Sequence, residues 1–220
     1  MTATLKALIF PRFFPQLMKL KAFGVCFTVS FPAIAFLAIA IICDRKGTVL
    51  LCLIASFMHE AGHILAMLFK GAKLKSVRFN LGDVAIDTES TTLSYDDEIF
   101  ISVSGVFINL ILSLFSLLFF LFFKLSFCYN FFIVNLLIAL FNLLPIRFLD
   151  GGQLLLFLLK KHFSIKTCDI VINILTVVFV VPVGVLGFIF VFNSSYNFSL
   201  LFTALYLIST LVSKEFKNVS

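Results

Sequence analysis

Long apolar runs, separated by short polar segments, dominate the pattern along this chain. A helix needs about 20 apolar residues to cross a hydrocarbon core about 30 Å thick. The six predicted spans are residues 22–43, 48–69, 99–123, 127–146, 170–192 and 198–212. A further apolar piece, residues 154–159, is too short to span the membrane. The pattern therefore predicts an all-α polytopic membrane protein with about six transmembrane helices.

The polar segment that follows the second predicted span has a different period. Apolar and polar residues alternate on both sides of the pair Gly82-Asp83, which predicts a small β-hairpin over residues 77–86. Further along, Ser94 is followed three residues later by Asp97. This spacing predicts a capped helix start for the third span.

The composition supports a membrane protein. The chain has 220 residues, of which 61% are hydrophobic and 13% charged, and its mean hydropathy is +1.15. A soluble domain is about half apolar and about a quarter charged, so one water-soluble core cannot bury this excess. The net charge of +6 comes from Lys and Arg in short segments between apolar runs. We therefore expect the lipid bilayer, and not a nucleic acid, as the partner of these charges.

The distribution of basic residues predicts the topology. With six spans, 14 of the 17 Lys and Arg residues fall on one side of the membrane. Positive charge marks the cytoplasmic side, so both termini are predicted to be cytoplasmic. The predicted organisation is a basic cytoplasmic tail at 1–21, a six-span core at 22–212 and a cytoplasmic tail at 213–220.

The motif HEAGH, residues 59–63, places ionisable side chains inside the second predicted span. His59 and His63 are four residues apart, so they share one face of a helix, and Glu60 lies beside that face. Such an arrangement holds a zinc ion, with the glutamate as general base. A histidine in a membrane also hydrogen-bonds a neighbouring helix, but three clustered polar groups in a span favour function.

Two histidines do not complete a catalytic zinc site, which has three protein ligands in most cases. His162 is a poor third ligand because it lies in the basic loop KKHFSIK. Asp150 is the better candidate, because Pro145 breaks the end of the fourth helix and Gly151 and Gly152 permit tight backbone geometry. In the predicted topology, the HEAGH helix and Asp150 reach the same side of the membrane.

These motifs resemble those of the site-2 protease family of intramembrane zinc metalloproteases. Its signatures are H-E-x-x-H and N-x-x-P-x-x-x-x-D-G, which appear here as HEAGH at 59–63 and NLLPIRFLDG at 142–151. The six spans and the hairpin are similar to the small bacterial branch of sporulation proteases. The resemblance implies a cell-membrane enzyme that performs regulated intramembrane proteolysis. Its implied substrates are an anti-sigma factor, a pro-sigma factor or another membrane-tethered regulator.

The resemblance also implies roles for individual residues. His59, His63 and Asp150 would be the ligands of Zn²⁺, Glu60 would activate the water, and Asn142 would hydrogen-bond the substrate or the developing oxyanion.

A weaker family feature, Gly-Pro-x-x-Asn, is matched in part on the third span. Gly105 and Asn109 are present, but Val106 stands where proline is usual. Asn109 is therefore either a participant in the reaction or a polar contact between helices. The hairpin at 77–86 likewise has two interpretations. It either pairs its edge with an extended substrate or covers the membrane surface without substrate contact.

Two other functions are compatible with part of this pattern. A metal transporter or sensor would also place His and Asp in spans. However, it would not need a glutamate between the two histidines, and the internal repeat common in transporters is not evident. A catalytically silent scaffold would be expected to have lost Glu60 or a ligand, and all of them are intact.

Overall fold

The computed structural model describes residues 16–22, 25–44, 47–72, 74–80, 83–88 and 93–193. The strands are β1 Gln16–Ala22, β2 Val25–Ser30, β3 Leu74–Asn80 and β4 Asp83–Thr88. The helices are α1 Phe31–Cys43, α2 Thr48–Phe69, α3 Tyr95–Phe123, α4 Ser126–Asn142, α5 Asp150–Lys160 and α6 Ile165–Asn193. The chain divides into two compact units, residues 1–140 and 141–220. The predicted class, a mostly helical membrane protein with a hairpin after the second helix, is confirmed.

The first unit contains a four-stranded sheet in the order β1-β2-β3-β4. The predicted hairpin is its β3–β4 half, in which Val77 pairs with Ile86 and Phe79 with Val84. The outer pairs of the sheet are antiparallel, whereas β2 and β3 run parallel. A parallel pair requires a crossover connection, and α1 and α2 provide it. The hairpin is therefore built into a larger sheet that the sequence pattern did not predict.

The predicted first span, residues 22–43, is wrong in its first part. Residues Val25–Ser30 form a strand, and only Phe31–Cys43 is helical. Val, Phe and Thr favour strands, and a short apolar run does not by itself distinguish a strand from a helix. Pro32 lies in the first turn of α1, where its missing N–H has no helical partner to lose. With 13 residues, α1 is about 20 Å long and shorter than the hydrocarbon core.

Three helices in the described part of the chain are long and apolar enough to span a membrane: Thr48–Phe69, Tyr95–Phe123 and Ile165–Leu186. The predicted fourth span, 127–146, is a shorter apolar helix that ends at Asn142. Its early end follows from Pro145, which disfavours helical geometry in the residue before it. The predicted sixth span, 198–212, and the tail 213–220 lie outside the described residues.

Local signals account for the starts of α2 and α3. Asp44 accepts hydrogen bonds from the backbone N–H groups of Thr48, Val49 and Leu50, at 3.1, 2.8 and 3.2 Å. At α3, the predicted capping box is confirmed. The Asp97 N–H donates to Ser94 Oγ at 3.2 Å, and the Ser94 N–H donates to Asp97 Oδ2 at 3.1 Å. These side chains satisfy N–H groups that have no partner within the helix.

The second unit is built around α5 and α6. Leu156 on α5 packs with Cys168 and Ile172 on α6, all of them buried. Residues 143–149, which we call the connector, join α4 to α5 without regular structure. Ile146 of the connector is completely buried against Val180 of α6. The connector is therefore packed into the unit and is not an exposed loop.

Candidate metal centre

The two histidines of HEAGH lie one turn apart on α2, and both are buried. Their exposed fractions are 5% for His59 and 8% for His63. The two Nε2 atoms are 3.2 Å apart, and the ring planes meet at 82°. Two nitrogens bound to one tetrahedral zinc ion at 2.0–2.1 Å would be about 3.3 Å apart. The spacing of the imidazoles thus fits a shared metal ion, although it also fits an N–H···N hydrogen bond.

A backbone carbonyl on α3 determines which nitrogen of His63 carries the proton. His63 Nδ1 lies 2.8 Å from the carbonyl oxygen of Ile101. A carbonyl oxygen only accepts, so Nδ1 is the donor and Nε2 keeps its lone pair. Histidines that bind metals commonly donate their other ring N–H in this way, which fixes the ring orientation. The tautomer of His63 therefore suits coordination through Nε2.

Close packing of α3 against α2 brings Gly105 next to both rings, at Nε2 and Cε1 of His63 and at Cε1 of His59. A Cβ atom added at Gly105 would lie 2.7 Å from His63 Cε1 and 2.9 Å from His59 Cε1. Gly62 of α2 also approaches α3, since a Cβ there would lie 3.0 Å from the carbonyl oxygen of Ser104. Sequence reasoning named Gly105 only as part of a partial motif. Its role beside the imidazoles, and that of the Ile101 carbonyl, depend on helix contacts that the sequence does not reveal.

Glu60 directly follows His59 on α2 and is half-buried. On a helix, it is offset by one residue from the face that His59 and His63 share. This offset places Glu60 at the edge of the helix face that carries the two histidines. Glu60 is therefore suited to exchange protons next to a metal ion rather than to bind the ion.

In the second unit, the NLLPIRFLDG motif spans a break between two helices. Asn142 is the last residue of α4, and Asp150 is the first residue of α5. The glycines after Asp150 are required by close backbone contacts. A Cβ at Gly151 would lie 2.8 Å from the carbonyl oxygen of Leu144, and one at Gly152 would lie 2.9 Å from the nitrogen of Arg147. Asp150 is thus presented at a helix start that packs tightly against the connector.

The donor set fits zinc. His59 and His63 each offer an imidazole nitrogen as a ligand atom, and Asp150 offers a carboxylate oxygen. Two imidazoles and one carboxylate form a ligand set found at catalytic zinc. His162, the less favoured third ligand, lies on an exposed turn after α5.

Asn109 on α3 is completely buried, and neither its Nδ2 nor its Oδ1 has a hydrogen-bond partner in the part of the chain that is described. A buried amide without partners costs free energy, on the order of 1–3 kcal/mol. The side chain therefore retains its full capacity to bind another polar group.

Comparisons with known proteins give a family match and a similar fold. Residues 124–183 match the model of peptidase family M50. No curated protein matches the chain. Among solved structures, the fold is similar to that of the site-2 protease from Methanocaldococcus jannaschii, with a TM-score of 0.65 and 19% identity over 88% of this chain and 93% of that one. The predicted resemblance is confirmed. The match, the apolar helices and the ligand cluster support a membrane-bound metalloprotease.

Proposed function

We propose that this chain, which resembles the site-2 protease family in its motifs, its family match and its fold, is an intramembrane zinc metalloprotease. It hydrolyses a peptide bond of a membrane-embedded or membrane-associated protein near the cytoplasmic face. The observation that carries the proposal is the donor set of two imidazoles and one carboxylate that His59, His63 and Asp150 offer. Two elements far apart in the sequence each contribute ligands, which is typical of a site and unusual for isolated polar residues in spans.

The residues of this chain divide the work of hydrolysis. A bound zinc ion would supply Lewis acidity, which polarises the substrate carbonyl and lowers the pKa of the attacking water. Glu60 takes the proton from that water and gives it to the leaving amine, as a general base and then a general acid. The Ile101 carbonyl keeps His63 in the tautomer that leaves Nε2 available.

Two asparagines are suited to bind the reacting peptide. Asn142 ends α4 just before the connector, and we assign it the hydrogen bond to the developing oxyanion. Asn109 is a second candidate, because its buried amide has unused donor and acceptor capacity within the described residues. The alternative for Asn109 is a polar contact that holds helices together.

The sheet offers a means of holding the substrate in an extended form. β4 is the outermost strand on its side of the sheet. A peptide that has unwound from a helix can add to such an edge through backbone hydrogen bonds. The competing interpretation is that the β3–β4 hairpin covers the membrane surface and does not bind substrate.

The location and partners follow from charge and resemblance. The excess of Lys and Arg on one side favours a protein of the cell membrane with both termini in the cytoplasm. The source suggested by the resemblance is bacterial. The expected substrates are an anti-sigma factor, a pro-sigma factor or another membrane-tethered regulator, cut in regulated intramembrane proteolysis.

The test is co-expression of the chain with a panel of membrane proteins from the same genome, comparing the wild type with Glu60→Gln. Loss of the general base should reduce cleavage on the order of 10²–10⁴-fold, while purified Glu60→Gln still binds zinc. Glu98→Gln, at the start of α3, is the matched control and should cleave normally. Undiminished cleavage by Glu60→Gln would remove the assigned base. Zinc flux in proteoliposomes without peptide turnover would instead indicate a transporter.

A further inference from the structure

We propose that Arg147 is a positioning residue, which fixes the connector to α6 so that Asp150 is held in place as a zinc ligand. The inference rests on the proposed function, because it assumes that Asp150 binds the metal. It adds a residue that the motif leaves unspecified. In N-x-x-P-x-x-x-x-D-G, Arg147 occupies one of the free positions between Pro145 and Asp150.

The guanidinium of Arg147 bridges two side chains of α6. Nη1 donates to Asn173 Oδ1 at 2.9 Å, and Nη2 donates to Asp169 Oδ1 at 2.6 Å. The backbone N–H of the same residue donates to Thr176 Oγ1 at 2.9 Å. Residues 169, 173 and 176 follow the spacing of a single helix face. Arg147 is therefore fastened to about two turns of α6 by both its side chain and its backbone.

A second link joins Arg147 to α5. The side-chain Nε2 of Gln153 donates to the backbone carbonyl oxygen of Arg147 at 2.5 Å. Asp150 lies between these two residues in the sequence, in the first turn of α5. With the connector held to α6 on one side and to α5 on the other, the direction of the first turn of α5 is determined. The position of the Asp150 carboxylate follows from that direction.

The ion pair between Arg147 and Asp169 indicates a specific role for the arginine. The Arg147 side chain is only 13% exposed, whereas that of Asp169 is 40% exposed. A largely buried cation is expensive without a partner, so the chain bears a cost here that an apolar residue would avoid. The planar guanidinium donates in two directions at once, to an amide and a carboxylate. Lysine would carry the charge but could not reproduce this fork.

The experiment measures the zinc dissociation constant of the purified full chain by competition with a chelating dye. Partners that orient metal ligands contribute about 10–100-fold to metal affinity, and we expect a loss of this size for Arg147→Gln. Arg147→Lys should lose less. Asp169→Asn should weaken binding in the same direction. Because both act through one contact, the double variant should bind little worse than Arg147→Gln alone. Lys166→Gln, an exposed cation at the start of α6, is the control and should bind normally.

The outcomes separate this inference from the proposed function. If Asp150→Ala loses zinc while Arg147→Gln and Asp169→Asn bind it as the wild type does, the positioning role is overturned and the protease proposal stands. If Asp150→Ala binds zinc normally, the protease proposal itself fails. A lowered unfolding temperature in excess chelator with an unchanged dissociation constant would mean a purely structural role and would also overturn the inference. Should Arg147→Gln not fold, Asp169→Asn decides, because it is isosteric and partly exposed.

Discussion

The candidate ligands are held in two different ways. His59 and His63 come from α2, an uninterrupted helix of 22 residues, and helix-to-helix packing with α3 supports their rings. Asp150 comes from a helix start after a break, and backbone-to-backbone packing with the connector supports it. On α2, the periodicity of one helix sets the geometry, whereas at Asp150 a compact turn must be assembled. The carboxylate is therefore the ligand whose position depends on more of the surrounding structure.

A glycine lies at each of the two supports, Gly105 beside the histidines and Gly152 after Asp150, but the atoms around the two glycines differ. At Gly152, the atoms nearest an added Cβ belong to the backbone of Ile146 and Arg147. At Gly105, they belong to the two imidazole rings. A packed backbone cannot yield without unfolding the turn, whereas a side chain can rotate. Adding a methyl group at each site therefore probes the two supports separately.

The largest effect is expected for Gly152→Ala. Its methyl group would overlap the carbonyl of Ile146, and overpacking of this kind costs roughly 3 kcal/mol. In thermal unfolding of the detergent-solubilised chain, Tm should fall by roughly 10 °C. Gly71→Ala is the control. Its backbone has φ +74° but the site is open, so it should lose only about 1–2 kcal/mol. Equal losses in the two variants would mean that the contact with the connector is not tight.

Gly105→Ala should act on metal binding more than on stability. Alanine favours helix over glycine by about 1 kcal/mol, which offsets part of the packing cost, but the methyl group displaces both imidazoles. We expect zinc affinity to fall by about 10–100-fold with little change in Tm, measured by chelator competition and thermal unfolding. Ser116→Ala is the control. It removes a hydroxyl that donates within α3 to the Leu112 carbonyl, and it should leave zinc affinity and Tm unchanged. Normal zinc binding by Gly105→Ala would show that the rings do not depend on this packing.

The smallest effect is expected for Ser104→Ala. Ser104 Oγ lies 3.3 Å from His63 Nδ1, but it already donates to the Ile101 carbonyl at 2.6 Å. The bond from Nδ1 to that carbonyl persists without the hydroxyl, so zinc affinity should fall only about two- to threefold. Ser102→Ala removes a hydroxyl that donates to the backbone carbonyl oxygen of Glu98 and serves as the control. A tenfold loss specific to Ser104→Ala would identify the serine, and not Ile101, as the group that orients His63.

The sequence predicts the helical supports better than the sheet. The long apolar run around HEAGH predicts a helix. On any helix, residues four apart lie on one face, so the proximity of His59 and His63 follows from the sequence alone. The hairpin and the capping box at Ser94 are also local, and both are confirmed. By contrast, β2 pairs with β3 across more than forty intervening residues. No local pattern in the sequence indicates that pairing. Residues 25–30 are apolar, and without a visible strand partner they are predicted as part of the span 22–43.

The candidate site shows the same limit. Motif spacing predicts the histidines, Glu60 and Asp150 as site residues, but it contains no information on the carbonyl of Ile101 or on Arg147. Both make contacts between elements, and the partners of Arg147 lie more than twenty residues away on α6. The sequence gives little indication of either contact. A lone arginine between Pro145 and Asp150 is visible only as a charge in an apolar stretch.

The most direct measurement is the zinc content of purified, detergent-solubilised chain by elemental analysis, for the wild type and Asp150→Ala. We predict about one ion per wild-type chain and a markedly lower content for Asp150→Ala. Asp96→Ala, which removes another carboxylate near a helix start, should retain the wild-type content. Wild-type chain without zinc, or Asp150→Ala with as much zinc as the wild type, would contradict the account.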